Sequence, residues 1–177
     1  MLILIGLSGC GGIPVKQDYD SSTRIQMAST FQWLPAPQQT EPTAESLKKS
    51  DPFLATRIEK AIQNHLTQRG AQFVQSAPQA YISYHYTLSQ TKALVPSNTL
   101  GFGMMSRNVG FGTAFPRDYV TEVVEEAKWV IDVHNAQGQL IWRGEAHTGV
   151  ERPANPKDSD IITQRNVDAI LSQYPPR

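Results

Sequence analysis

The chain has 177 residues and carries sixteen Lys and Arg against sixteen Asp and Glu, so its formal net charge is zero. This length suffices for one domain with a sizeable core. A chain without net positive charge does not attract polyanions, so the composition disfavours nucleic acid as a partner. Twelve Pro and twelve Gly residues indicate extensive loops.

An apolar run at residues 2–7 leads to Cys10 and is too short to cross a bilayer as a helix of about 20 residues. The sequence Leu7-Ser8-Gly9-Cys10 resembles the lipobox of bacterial lipoproteins, in which an aliphatic and two small residues precede a cysteine that is acylated. Small residues let the backbone enter a protease groove. We therefore predict a lipoprotein signal peptide at residues 1–9 and lipidation of Cys10.

The alternative is a buried first strand with a chance cysteine. Cys10 is the only cysteine of the chain, which excludes an intramolecular disulfide. No Lys or Arg precedes the apolar run, so we expect the true start to lie elsewhere than Met1. Lipoproteins of this kind carry two or three acyl chains, and two anchor a protein stably. Gly11 rather than Asp after the cysteine resembles the sorting rule for the outer membrane of a diderm host.

The first half of the chain predicts two strands and a helix. Residues 15–19 and 30–34 read as strands, whereas the prolines and polar residues of 35–50 favour a surface loop. Asp51 can cap a helix that begins at Pro52 and ends before Gly70. Its apolar face follows helical spacing and contains Leu54, Ile58, Ala61, Ile62 and Leu66.

Period-two alternation from Ala80 to Ser89 predicts a strand whose odd-numbered residues face solvent. Two further alternating runs flank residues 135–138 and predict a hairpin in which paired residue numbers sum to 273. On the apolar face this register places Val133 beside Leu140, Ile131 beside Trp142, Trp129 beside Gly144 and Ala127 beside Ala146. On the other face it places Lys128 beside Glu145 and Glu126 beside His147.

A second helix is predicted from Asp158 or Asp160 to Gln173, ended by two prolines. Its apolar side contains Ile162, Val167, Ile170, Leu171 and Tyr174. The element order predicts an α+β fold, an antiparallel sheet with two helices packed on one face, in a single domain of residues 10–177.

Several short motifs together carry a family resemblance over most of the mature chain. They are Tyr19-Asp20, Phe31 with Trp33, Asp51-Pro52, Arg69-Gly70, Tyr84-His85, Val130-Ile131-Asp132-Val133, Leu140-Ile141-Trp142-Arg143-Gly144 and Tyr174-Pro175-Pro176. In this order they resemble the bacterial lipoprotein family catalogued as domain of unknown function 4136. The resemblance implies a lipid-anchored envelope protein with no assigned catalysis.

The remaining polar motifs favour structural roles. In the predicted hairpin, His134 and His147 lie about 26 Å apart at roughly 3.3 Å per residue, so they do not share a metal, and we expect no metal or cofactor. Asp132 and Arg143 fit a diagonal surface ion pair worth at most about 1 kcal/mol. Trp129 and Trp142 are interpreted as core residues. The sequence has no nucleophile elbow or zinc-protease motif, so an enzyme is expected only if His85 lies beside Asp or Glu in a cleft.

The segment 94–116 contains two Gly-Phe-Gly motifs and is predicted to be a mobile loop. Its aromatic and methionine side chains suit contact with a partner, or they cover an open end of the sheet. The candidate contact residues are Phe102, Met104, Met105, Phe111 and Phe115.

Two hypotheses for function follow. The first is a non-enzymatic lipid-anchored module at the periplasmic face of the outer membrane that binds another envelope protein through this loop. The alternative is a carrier with an apolar pocket between sheet and helices for a lipid or another small amphiphile.

Overall fold

The computed structural model describes residues 12–22, 24–40, 42–96 and 119–176. In this part of the chain six strands and three α-helices form an α+β fold. The strands are β1 (Val15–Tyr19), β2 (Thr30–Trp33), β3 (Gln72–Phe73), β4 (Ala80–Pro96), β5 (Tyr119–Asn135) and β6 (Leu140–Gly149). The helices are α1 (Ala44–Ser50), α2 (Pro52–Gln68) and α3 (Pro156–Leu171).

The sheet has the order β1-β6-β5-β4-β2-β3 and is mixed, so the prediction of an antiparallel sheet was wrong in part. The pairs β1–β6, β6–β5 and β5–β4 are antiparallel, whereas β2 runs parallel to both β3 and β4. The chain passes from β2 to β3 through α1 and α2. Such a helical crossover is the connection that parallel neighbours require.

The two predicted helices are confirmed, with sharper ends. The side chain of Asp51 accepts a hydrogen bond from the Leu54 amide at 2.9 Å, and Pro52 occupies the first turn of α2, where its missing N–H costs nothing. Gly70 ends this helix with a φ of +88°, a conformation that favours glycine. The last helix begins before the predicted start, at Pro156, because Asn155 caps it.

The segment 35–50, predicted to be a surface loop, contains a 3-10 turn (Ala36–Gln38) and α1. The side chain of Thr43 caps α1 by accepting a hydrogen bond from the Ser46 amide at 3.1 Å. Ala44 and Leu47 are buried in the core. The prolines of this segment suggested a loop throughout, but all three precede Ala44 and therefore do not interrupt the helix.

The predicted hairpin is present, but its register differs by two residues because of a bulge. Val133 pairs with Trp142 and Trp129 with Ala146, whereas His134 pairs with Leu140. The turn places Gly138 at a φ of +81°, and the ladder shifts between Val133 and His134. A shift of two keeps the side chains of residues 127–133 and 142–146 on their predicted faces, although their partners were wrong. The prediction was wrong for Leu140, which pairs with His134 beyond the bulge and is 49% exposed.

One face of the sheet packs against the helices and contains the main core. Trp142, Tyr84 and Tyr174 are the largest of its fully buried side chains. Both tryptophans interpreted as core residues are buried there. The members with zero exposure are Phe31, Ala55, Ile62, Leu66, Ile82, Val133, Trp142, Val167, Ile170 and Leu171.

Candidate functional site

A second buried region lies on the sheet face opposite the helices. Ser83, His85, Asp132 and His134 occupy it, and each is buried. The sequence predicted that Ser83 and His85 face solvent, which was wrong. The chain between β2 and α1 accounts for the difference, because the carbonyl oxygen of Pro42 lies 2.7 Å from His85 Nδ1.

Asp132 is the centre of a buried ionic cluster, which we call the Asp132 cluster and which consists of Asp132, His85 and Arg143. Arg143 donates from Nε and from a terminal nitrogen to the two carboxylate oxygens of Asp132, at 2.7 and 2.6 Å. His85 Nε2 lies 3.1 Å from Asp132 Oδ2. Asp132 and Arg143 pair directly across β5 and β6, and Asp132 is 2% exposed. The predicted diagonal surface pair is therefore a directly paired, bidentate one, in which the carboxylate is buried and the arginine side chain is 39% exposed.

His85 is positively charged in this arrangement. Nδ1 faces the Pro42 carbonyl and Nε2 faces the Asp132 carboxylate, and since both groups only accept hydrogen bonds, both ring nitrogens donate. Burial acts against the charged ring, but these two hydrogen bonds outweigh it and raise the pKa of His85 above its ordinary value of 6.5. His85, Asp132 and Arg143 together therefore hold one excess positive charge.

The pKa values of Asp132 and His134, which lie beside His85, are lowered rather than raised. Burial acts to raise the pKa of Asp132, but hydrogen bonds from Arg143 and His85 outweigh it and hold the pKa below its ordinary value of 3.8. Burial lowers the pKa of His134, so this ring is neutral. Its Nε2 lies 3.2 Å from the hydroxyl of Ser83. A charged and a neutral histidine thus share one face of the sheet.

A cleft of about 240 Å³ opens beside the Asp132 cluster. It is lined by Thr40, Pro42, His85, Thr87, Lys128, Val130 and Arg143. The condition that the sequence set for an enzyme, His85 beside a carboxylate in a cleft, is met. A charged ring that donates from both nitrogens has no lone pair for a general base, however. The chemistry that the cleft offers is attraction of an anionic group.

Comparison with models of known protein families shows to which family the chain belongs. The family model described as Domain of unknown function (DUF4136) matches residues 15–176, from the first residue of β1 to the end of the described chain. The chain belongs to this family. The resemblance inferred from short motifs in the sequence is thereby confirmed, and those motifs lie in β1, β2, α2, β4, β5, β6 and the residues after α3.

Solved structures similar to this DUF4136 chain show low sequence identity. A PDZ domain protein from Parabacteroides distasonis is 18% identical with a TM-score of 0.56 over 93% of this chain and 36% of its own, so this chain spans about a third of that protein. A minor lipoprotein from Acinetobacter baumannii is 15% identical, with a TM-score of 0.37 over 82% and 87% of the two chains. A PelC dodecamer from Paraburkholderia phytofirmans is 6% identical, with a TM-score of 0.40 over 89% and 95%.

The first of these likenesses indicates a shared fold, and the other two are too distant to indicate more. Among curated proteins, no match to the chain was found. The family assignment therefore rests on the family model alone.

A second cavity of this DUF4136 domain lies between the sheet and the helices, as the carrier hypothesis requires. It has a volume of about 190 Å³. Tyr86 and Trp129 form one wall, with ring centroids 4.8 Å apart in an edge-to-face contact. Leu54 of α2 and Ile162 of α3 line it from the helix side. Most sites for drug-sized ligands exceed about 300 Å³, so this cavity suits a smaller molecule or part of an acyl chain.

The site residues predicted from the sequence lie outside the described residues. These are Leu7, Ser8, Gly9 and Cys10 of the lipobox and Phe102, Met104, Met105, Phe111 and Phe115 of the loop. Across the described ranges, His, Cys, Asp and Glu side chains form no group of three able to hold a metal ion. No helix there combines the length and apolarity needed to cross a membrane.

The sequence contained one signal for the Asp132 cluster that was not used. Asp132 interrupts a run of β-branched residues, Val130, Ile131 and Val133, in the middle of a predicted strand. Asp is depleted in strand interiors, so its presence there indicates a specific partner. The facing strand offers Arg143, but the third member, His85, and the carbonyl of Pro42 come from segments whose proximity only the folded chain reveals.

Proposed function

We propose that this DUF4136 protein is a lipid-anchored cell-envelope protein that acts without catalysing a reaction, at the periplasmic face of the outer membrane. The supporting observation is the spacing between the lipobox and the folded body. Cys10 precedes the first residue of β1, Val15, by only five residues. A fatty-acylated Cys10 would hold the body within about 18 Å of the lipid surface, since each residue spans at most about 3.6 Å.

Metabolic labelling with a palmitate analogue tests this anchor. We expect the wild-type protein to incorporate the label and to sediment with membranes, and Cys10→Ser to do neither. Separation of inner and outer membranes then tests the sorting that Gly11 implies. Full-length unlabelled protein in the soluble fraction would contradict the proposal.

The absence of catalysis is supported by the Asp132 cluster. Its histidine is charged and donates from both nitrogens, and the Ser83 hydroxyl contacts His134 rather than facing the cleft. A proton-accepting role would require His85 to break one of these hydrogen bonds first.

We propose the loop that contains Phe102, Met104, Met105, Phe111 and Phe115 as the contact for an envelope partner. Deletion of residues 101–115 followed by affinity isolation from membranes tests this contact. We expect the partner to be lost from the deletion variant while membrane attachment through Cys10 is kept. Isolation of the same partners from both proteins would refute the role of the loop.

The second candidate function is transport or storage of a small amphiphile, favoured by the cavity between sheet and helices. Native mass spectrometry of protein isolated from membranes would show a bound molecule as added mass. As a control, Ala127→Leu should fill the cavity, because Ala127 lines it and is buried. Added mass that persists in Ala127→Leu would argue against this cavity.

A further inference from the structure

The strands β4 and β5 extend far beyond the rest of the sheet. β2 leaves β4 after Ile82, and β6 ends at Gly149 opposite Glu126, yet β4 and β5 stay paired as far as Pro96 and Tyr119. We call residues 88–96 with 119–126 the ribbon. Among the described residues, no other strand pairs with the ribbon beyond Glu126. An isolated two-stranded ribbon is marginally stable in water, so a further surface is expected against it.

The ribbon exposes aliphatic side chains on both faces. Leu88 is 61%, Val123 58% and Val124 43% exposed, and they are among the most exposed large apolar residues of the described chain. The three pairs at its end, Leu94–Thr121, Val95–Val120 and Pro96–Tyr119, contain no charged residue. Lys92 pairs directly with Val123, and Glu122 lies one position further from the body, whereas Glu125 with its partner Arg152 lies nearer the body. Leu88 and Val123 lie on the same face of the ribbon, and exposed aliphatic residues that share a face mark an interaction surface.

The path of β1 shows which end of the sheet faces the anchor. Val15 is level with Ala146, which is level with Trp129 and Tyr86, at the end of the sheet from which the ribbon emerges. The chain before Val15 continues toward that end, because β1 runs antiparallel to β6. The five residues back to Cys10 reach about 18 Å.

The short tether between Cys10 and Val15 excludes the opposite end of the sheet, at the turn between β5 and β6, as the end that faces the membrane. From Trp129 to Asn135 the sheet extends six residues, about 20 Å, before the turn. Ile13 already packs against the core and shortens the free tether further. An anchored Cys10 therefore cannot pass the turn, and the ribbon end faces the lipid.

The ribbon is longer than the tether. From Tyr86 to Pro96 it spans ten residues, about 34 Å, against about 18 Å for the tether. If the ribbon pointed perpendicular to the membrane, its end would enter the hydrocarbon of the bilayer. The outer edges of both strands would then expose unpaired backbone N–H and C=O groups to lipid, which is not tolerated. The ribbon must therefore tilt and lie along the surface.

We propose that the ribbon is a second membrane contact, whose occupant is the surface of the same bilayer that holds the acylated Cys10. This inference rests on the proposed function. Leu88 and Val123, which lie on the same face of the ribbon, supply the apolar contact with the lipid. The contact orients the body, so that Tyr86 and Trp129, which line the cavity between sheet and helices, lie at the end of the sheet nearest the lipid.

A single fluorophore tests this contact. Acylation blocks the only native thiol, so Leu88→Cys and Val123→Cys on one face of the ribbon, and the controls Val124→Cys on its other face and Gln137→Cys, each provide one reactive site in the lipidated protein. Gln137 is exposed in the turn at the opposite end of the sheet. In vesicles of phosphatidylethanolamine and phosphatidylglycerol we expect blue-shifted emission, quenched by nitroxide lipids, at positions 88 and 123 and neither effect at 124 or 137.

The outcomes separate the two proposals. Intact-mass measurement before labelling shows whether Cys10 is acylated, and an unmodified Cys10 overturns the proposed function. An acylated protein whose labels at 88 and 123 behave like the labels at 124 and 137 overturns the ribbon contact and leaves the anchor standing. A blue shift that disappears when the protein is diluted over more vesicles would show a second copy as the occupant, which also overturns the inference.

Discussion

On one face of β4 and β5, Ile82, Tyr84 and Ile131 pack against the helices, whereas on the other face Asp132 is buried beneath His85, which contacts Pro42 of the chain between β2 and α1. The first face is stabilised by removal of apolar surface from water. The second is buried at Ser83, His85, Asp132 and His134 but opens at Arg143, whose side chain is 39% exposed, and it depends on charges and hydrogen bonds. Removing one group from the polar face therefore leaves its charged partners uncompensated, whereas removing one apolar side chain from the other face costs only that side chain's own contacts.

Asp132→Asn should have the largest effect on the polar face. The change keeps the side-chain volume but removes the charge that compensates His85 and Arg143. Breaking a fully buried pair by removing one partner costs about 3–5 kcal/mol of unfolding free energy, and because water still reaches Arg143, whose side chain is 39% exposed, we expect about 3 kcal/mol here. Urea unfolding of the two proteins at the same pH measures it.

Asp160→Asn is the matched control. Asp160 also accepts a hydrogen bond from an arginine, Arg57 Nε at 2.8 Å, but this carboxylate is largely exposed. Exposed pairs contribute about 0–1 kcal/mol. If both substitutions destabilise equally, burial is not what distinguishes the Asp132 cluster, and the contrast between the two faces fails.

Gly144→Ala tests the packed face. A Cβ at this position would lie 2.4 Å from Trp142 and 2.6 Å from Ile170, both of which are fully buried. Overpacking of this kind costs about 1–3 kcal/mol. Thermal unfolding should show the loss, while Gly149→Ala, which has open space around its Cβ, should be close to wild type. A wild-type melting temperature for Gly144→Ala would mean that the core is loosely packed here.

The packed face could largely be predicted from the sequence. Helical spacing in α2 and alternation in β4, β5 and β6 mark the side chains that point toward the same core layer. The buried face of each element can therefore be predicted from its own residues. The partners in the hairpin were missed because a bulge near Gly138 shifts the ladder without changing the alternation. The parallel pairing of β2 was missed because no local pattern distinguishes parallel from antiparallel neighbours.

The polar face could not be predicted in the same way. Alternation places Ser83, His85 and Asp132 away from the helices, but whether that side is wet depends on what covers it. The cover comes from Pro42 and its neighbours, a segment whose polar, proline-rich composition indicates a loop. Long-range contacts of this kind leave no periodic trace in the sequence.

The pH dependence of stability should arise from the polar face, with opposite signs for two histidines. Because the pKa of His85 is raised above 6.5, its contribution is complete below 6.5 and is lost as the pH rises through the folded-state pKa. The pKa of His134 is lowered, so the unfolded chain binds more protons below 6.5 and stability falls as the pH drops. Together they favour a maximum near pH 6.5.

Urea unfolding between about pH 5 and 8 measures this profile. His134→Gln should remove part of the decline below pH 6.5 and leave the decline above it, whereas Asp132→Asn should weaken the decline above it. His147, whose pKa is raised chiefly by its hydrogen bond to Glu145, adds to the alkaline decline. A profile that rises steadily from pH 5 to 8 would contradict the charged state assigned to His85.

Lys128→Met should change the free energy of unfolding least, because Lys128 lies at the solvent-exposed rim of the polar face. Lys128 Nζ contacts Glu145 at 2.7 Å, but about two fifths of the lysine side chain is exposed. We expect a loss of less than about 1 kcal/mol that shrinks further in high salt. The pKa of Glu145, held down chiefly by Lys128, should rise toward its ordinary value in an NMR titration. A loss that matches Asp132→Asn and resists salt would extend the buried network to the rim and would make the whole cleft, rather than the Asp132 cluster alone, essential for stability.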